Sequence, residues 1–427
     1  MRIAIIASGF RPVVDGVTVA LYHRLRLLSQ WGHEILLLCP DYEPLATLYP
    51  RWRDYLGEIF PGVQVMRLPS EPFMGVAFER NLSRQAQKPL QQALAEFEPT
   101  LIHVDEPDRI FLGLLKAPGV AYARAHGIPC VGFYHTNFID YLEDYLVEAL
   151  PLLNAQGVGR RLKRPAVAIA QWFSMLFIRP VFHAYDVILV SCAATQTRLE
   201  QLRVRNLYPG QFLGVDASAF DQVTRHSDFF ERVYALPDIS SKLTLMFLGR
   251  LTPDKGWHFT LRALADWVHH PSNAPLLDQV VVIVAGDGAM RDVIQSTLKD
   301  LGLRAYFLGR IAPEAVPALL VNSDIHITTS EKETLGLTVL EALCAGIPAI
   351  APRAGGVVTH IQDGTNGRLY APQSSKSFGQ ALSELVTDAS KRRQMGERGQ
   401  QAAARYDWET AVQTLLNTWQ TQIAPKT

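Results

Sequence analysis

Neither sign of charge is in excess in this 427-residue sequence: Lys and Arg number 41, Asp and Glu number 41, and the formal net charge is zero. A dedicated nucleic-acid binder would carry a basic footprint overall, so no nucleic acid is expected as a partner. Cysteine is scarce. The four copies, Cys39, Cys130, Cys192 and Cys344, are far apart, with no C-x-x-C pair, zinc-ligand spacing or disulfide framework. That pattern predicts reduced, buried thiols in a cytoplasmic protein. The apolar run at residues 3–7 is too short for a signal-peptide core and reads as a first strand. No G-x-G-x-x-G follows it, which argues against a dinucleotide dehydrogenase. Low-complexity tracts and short repeats are also missing.

What the sequence does have is apolar material. Hydrophobic residues make up 48% and charged residues 19%, which excludes global disorder. At about 150 residues per domain the length allows two or three domains. Continuous apolar runs at residues 3–7, 34–39, 63–68, 101–104, 130–133 and 187–190 alternate with helical patterns, of which 17–31 is the clearest. Runs of this kind mark strands buried on both faces of a parallel sheet. The series then restarts, with strands predicted at 242–248, 280–285, 305–308, 325–328 and 349–351, helices between them, and a last unit near 367–370. Two doubly wound α/β domains follow from this cadence, each Rossmann-like, with a ligand site expected in the cleft between them. The polar stretch 212–238 is the linker and hinge candidate. The predicted domains are 1–212, 213–405 and a terminal amphipathic helix, 406–427, that carries Trp408, Val412, Leu415, Leu416 and Trp419 and docks back on the first domain.

Two clusters carry chemistry. Gly249-Arg250-Leu251-Thr252-Pro253-Asp254-Lys255-Gly256 follows a strand and opens a helix. On such a loop Arg250 offers a fork and Lys255 a point charge to one diphosphate, as departure of a nucleotide leaving group demands. The second cluster, residues 330–348, also joins a strand to a helix, where free backbone N–H groups and the helix dipole favour an anion. Glu333 and Glu341 stand eight positions apart in it, about 10 Å at helical rise. One carboxylate suits a sugar and the other a ribose; taken alone, the spacing also fits two ordinary helix carboxylates.

Gly249-Arg250, Lys255-Gly256, Glu333-x7-Glu341 and Ala345-Gly346-x-Pro348 together resemble the retaining glycosyltransferases of family four, which have the GT-B fold. The Asp15-Gly16 loop resembles the family's first glycine loop, and Phe133-Tyr134-His135-Thr136, Gly214-Val215-Asp216 and Gly286-Asp287-Gly288 resemble further signposts. The resemblance implies that Arg250 and Lys255 bind the donor diphosphate, aided by Gly16, Leu335 and Gly336. It implies that Glu333 holds the transferred sugar, Glu341 the ribose, and that His135 lies on the sugar and acceptor side. Leu335 stands where the family often has phenylalanine, Thr329 where it often has proline, and Gly16 is single where pairs are frequent. Glu331 competes with Glu333 but is ten positions from Glu341, out of the family frame. Short segments bring the chain near lipid-glycosylating members such as sulfoquinovosyl and mannosyl transferases.

The resemblance therefore implies transfer of a hexose from a nucleotide-diphosphate sugar to a hydroxyl of a lipid or saccharide. No Asp-x-Asp stands as a metal clamp, so no metal and no other cofactor is expected. Arg160, Arg161, Lys163 and Arg164 precede an apolar stretch, 165–182, that contains Trp172 and Phe173. Two readings stand side by side: an interfacial helix on an anionic membrane, making the chain peripheral on an inner membrane face, or a core helix of the first domain. Two further functional readings compete, another GT-B enzyme such as an epimerase or phosphorylase, and a non-catalytic nucleotide-sugar sensor.

Overall fold

The computed structural model describes residues 1–73, 76–135, 172 and 174–422. The chain divides into two compact units, Met1–Gly214 with Trp408–Thr427, and Val215–Asp407. The N-terminal unit is built on β1 (Arg2–Ile6), β2 (Glu34–Pro40), β3 (Gly57–Phe60), β4 (Val63–Leu68), a separate hairpin of β5 (Ser70–Phe73) and β6 (Val76–Leu82), then β7 (Leu101–Asp105), β8 (Cys130–Tyr134), β9 (Val187–Val190) and β10 (Leu207–Pro209). Its sheet runs β10-β9-β8-β7-β1-β2-β4-β3, parallel except that β3 pairs antiparallel with β4. β1 lies between β2 and β7, with Ile3 opposite both Ile35 and Leu101. Ile3, Ala4, Ile5 and Ile6 are all fully buried, as an unbroken apolar run in a doubly covered strand requires.

One sheet face packs Ala4, Ile6, Ile102 and Val104 against Ile110, Ile178 and Phe182. The helices Gly16–Gln30 and Trp408–Gln422 also belong to this unit: His23 stacks on Trp408 at 5.0 Å, and Trp419 meets the His103 ring at 5.3 Å.

The C-terminal unit carries β11 (Leu243–Leu248), β12 (Val280–Ala285), β13 (Ala305–Gly309), β14 (Ile325–Ile327), β15 (Ala349–Pro352) and β16 (Gly367–Tyr370) in the order β13-β12-β11-β14-β15-β16, all pairs parallel. All four cysteines are buried free thiols.

The stretch 212–238, predicted as linker and hinge, contains the division between the two units at Gly214 and Val215. It holds the helices Ala217–Asp221 and Phe229–Tyr234, buries Phe220, Phe229 and Phe230, and pairs Arg225 with Asp324 at 2.5 Å. Three aromatic side chains on a polar background suffice to tie it down. Of the segment 160–182, residues 160–171 and 173 lie outside the described residues. In its remainder Ile178, Val181 and Phe182 belong to the core, whereas Trp172, Met175 and Leu176 are exposed. No helix among the described residues is long and apolar enough to cross a membrane.

One glycine tests this packing. Gly396 sits inside the helix Ala389–Ala403, where propensity favours alanine by about 1 kcal/mol. A β-carbon there would come within 1.9 Å of the Gly346 carbonyl oxygen. Gly396→Ala should therefore destabilise the protein by about 1–3 kcal/mol in denaturant unfolding; a stabilised variant would contradict the contact.

Candidate active site

In a doubly wound sheet the chain reverses its direction of travel once, and the loops on either side of that reversal part to leave a crevice at the carboxyl ends of the strands. In the C-terminal unit the reversal falls between β11 and β14. The loops leaving those two strands are the two sequence clusters. The topology thus brings Arg250, Lys255 and Glu333 to one sheet edge, with Leu335, Gly336 and Glu341 following Glu333 into the helix Leu337–Cys344.

The two loops are joined backbone to backbone. Gly256 has φ +78°, and a β-carbon on it would sit 2.4 Å from the Thr329 carbonyl oxygen. The Thr329 hydroxyl donates to the Lys255 carbonyl at 3.1 Å and shares a 2.6 Å hydrogen bond with the Thr260 hydroxyl. A proline at 329 could make neither bond, so the departure from the family pattern has a local use. Held this way, Lys255 Nζ donates to Glu333 Oε1 at 2.7 Å. Arg250 Nη2 reaches Asp254 Oδ2 at 3.3 Å with its guanidinium partly exposed. Glu331 is occupied elsewhere, accepting from Gln373 Nε2 at 2.6 Å.

Behind Glu333 lies a support that sequence reading missed. The Gly356 N–H donates to the Glu333 carbonyl at 2.6 Å, and a β-carbon on Gly356 would fall 1.9 Å from the Thr334 carbonyl oxygen. The Glu333 loop therefore rests flush on the Gly355–Thr359 turn; the paired glycines at 355 and 356 were the available signal. Leu335 is buried, so its main chain is what it can offer a ligand. Glu341, on the second turn of the helix, has its carboxyl pushed up to about 7 by burial.

Gly16 and His135 belong to the other unit, where the reversal falls between β1 and β7. Gly16 opens a helix whose N-cap, Asp15, accepts from Thr18 N at 2.9 Å while Thr18 Oγ1 accepts from Asp15 N at 3.0 Å, a capping box. His135 directly follows β8 and is buried, its Nε2 3.2 Å from Asp105 Oδ1. Beside it, Glu106 takes the left-handed backbone (φ 56°, ψ 60°) and accepts from the Ser8 hydroxyl. Asp105, Arg24 and Glu106 went unnoticed in the sequence, although His103 and Asp105 are polar residues at strand period in an otherwise apolar run.

Comparison with known proteins settles the family. Residues 14–208 match the Glycosyltransferase Family 4 model and residues 236–402 match Glycosyl transferases group 1. The chain belongs to the family-four glycosyltransferases. This glycosyltransferase is 27% identical to the GDP-mannose-dependent alpha-mannosyltransferase of Mycolicibacterium smegmatis, over 97% of this chain and 96% of that one. It is 26% identical to the sulfoquinovosyl transferase SQD2 of Arabidopsis thaliana, covering 95% and 70% of the two chains. Against the alpha-monoglucosyldiacylglycerol synthase of Streptococcus pneumoniae the figures are 25%, 87% and 75%. Its GT-B fold is that of solved glycosyltransferases, among them Anabaena HepE in complex with UDP-glucose, with a TM-score of 0.68 at 20% identity over 99% of this chain and all of the other.

The raised Glu341 carboxyl carries a stability signature. A folded-state value of about 7 against an ordinary 4.5 means that the neutral form is favoured by folding. Its contribution is complete below pH 4.5 and is lost as pH rises through 7. Relative to Glu341→Gln, the wild-type enzyme should lose on the order of 1–3 kcal/mol between pH 5 and pH 8 in thermal or denaturant unfolding. Parallel pH profiles for the two proteins would contradict the burial of that carboxyl.

Proposed function

We propose that this glycosyltransferase moves a hexose from a nucleotide-diphosphate sugar to a hydroxyl of a lipid or saccharide acceptor, with retention of anomeric configuration. The observation that carries the reading is the Lys255–Glu333 contact of 2.7 Å at the strand reversal. It places a cation suited to a leaving phosphate against a carboxylate suited to sugar hydroxyls. Relatives named for GDP-mannose and for diacylglycerol support the donor and acceptor classes.

In this reading the diphosphate draws Lys255 away from Glu333 and lies between it and Arg250, over the first-turn N–H groups of the helix Leu337–Cys344. The developing negative charge on the departing phosphate is met by two fixed cations and a helix terminus, with no metal assigned. Glu333, released, accepts from hydroxyls of the transferred sugar. Glu341 accepts from the ribose diol. The acceptor hydroxyl attacks the face that the phosphate leaves, and the phosphate oxygen takes its proton. His135 is given a hydroxyl of the sugar or the acceptor. A lipid acceptor would bring the enzyme to a membrane surface, and exposed Trp172, Met175 and Leu176 are suited to the interface there.

The roles separate experimentally. Arg250→Ala and Lys255→Ala should each lower turnover by about 100-fold or more, the loss seen when a preorganised charge stabiliser is removed. In calorimetric titration with free nucleoside diphosphate, Glu341→Ala should weaken binding while Glu333→Ala spares it and impairs only transfer. Equal losses of diphosphate affinity in both glutamate variants would overturn the assignment. Binding of donors without transfer or hydrolysis would favour a sensor.

A further inference from the structure

Three arginines far apart in sequence meet at one surface of the N-terminal unit. β8 and β9 are parallel neighbours, so the chain between them crosses from the carboxyl edge of the sheet to its amino edge. Its last part is the helix Arg179–His183, which ends just before β9. Arg124, Met175, Arg179 and His183 line an open hollow beside this helix, and Arg179, His183 and Arg205 line a second that adjoins it. The hollows measure about 450 and 440 Å³, room for more than a bare phosphate.

The charges here have no counterpart. Arg124 gives one donor to the Ala184 carbonyl at 3.1 Å. The side chains of Arg179 and Arg205 make no hydrogen bond, and none of the three pairs with a carboxylate, among the described residues. Asp186, the acid next in sequence to the hollows, has Oδ2 occupied by the Cys130 N–H at 2.8 Å. Unmatched guanidinium groups around a hollow suit an anion from outside, phosphate above all. The surface next to them is apolar: Met175 and Leu176, 36% and 51% exposed, precede Arg179 by one turn.

We infer that this surface holds the headgroup of an anionic membrane phospholipid, its phosphate among Arg124, Arg179 and Arg205 and its acyl chain along Met175 and Leu176. The inference rests on the lipid-acceptor part of the reading above. A free phosphate would have no use for the apolar residues, and a nucleic-acid binder would carry a basic excess that this chain, at zero net charge, lacks. Apolar contact beside basic side chains is the chemistry of a bilayer interface. The direction of the crossing also fits. Met175 and Leu176 come earlier in it, so they lie toward the carboxyl edge, the edge given to the acceptor. A bilayer that takes up the apolar end lies beside that edge, with its phosphates level with the arginines.

The test uses the whole chain and sedimentation with phosphatidylcholine vesicles, with and without phosphatidylglycerol, each variant checked by thermal unfolding. Wild-type protein should sediment only where phosphatidylglycerol is present. Arg124→Gln, Arg179→Gln and Arg205→Gln combined should weaken that partitioning about 100-fold, about five-fold per charge. Met175→Gln with Leu176→Gln leaves every charge in place and should still weaken it about 10-fold. Inorganic phosphate should release no more protein than chloride of equal ionic strength. Unchanged binding in either variant, release specific to inorganic phosphate, or displacement from the vesicles by duplex DNA would each overturn the lipid site. Transfer to a water-soluble, short-chain acceptor separates this from the functional reading. Wild-type protein that transfers sugar there but ignores anionic vesicles refutes the lipid site alone; vesicle binding without transfer to any acceptor refutes the function and leaves the site.

Discussion

Two loops of the C-terminal unit share a site because Gly256 has no β-carbon. The contact with the Thr329 carbonyl, 2.4 Å from where that carbon would be, sets how closely the loop after β11 approaches the loop after β14. That spacing puts a lysine and a glutamate 78 positions apart within a 2.7 Å hydrogen bond. The remaining features serve the same end. Thr329 links the loops by its hydroxyl, Gly356 supports the Glu333 main chain, and Gln373 keeps Glu331 away. Main-chain packing sets the distance between these opposite charges.

The N-terminal unit solves a different problem. Its strand reversal carries carboxylates, Asp105 and Glu106, where the other unit sets the cations Arg250 and Lys255 against Asp254 and Glu333. Charges so deeply buried are tolerable only when paired, and Arg24 reaches from the helix Gly16–Gln30 to pair with Asp105. The result is a rigid polar layer beneath His135. The last helix of the chain completes it through Trp419.

The sheets themselves were legible in the sequence because buried parallel strands are written as unbroken apolar runs. Ile3 to Ile6 and Val280 to Ala285 are of that kind, and every residue in both runs is buried. Strands that are short, exposed or antiparallel left no such mark, so β3, β10 and the β5–β6 hairpin went unread. In the stretch 212–238, which contains the division between the units, the helices left no mark because the anchors Phe220, Phe229 and Phe230 are spaced too irregularly to show a period. At the candidate site, residues with a charge on a loop stood out. Residues that act by lacking atoms, such as Gly356, or by being buried in a strand, such as Asp105, did not. Their roles are defined by neighbours distant in sequence, which only the fold brings together.

A crystal structure of the wild-type chain with a nucleoside diphosphate would test the central claim most directly. The account predicts that Lys255 Nζ leaves Glu333 and, with Arg250, lies within hydrogen-bond distance of phosphate oxygens, while Glu341 meets the ribose. A Lys255–Glu333 pair still at 2.7 Å, with the diphosphate bound away from the β11 and β14 loops, would contradict it.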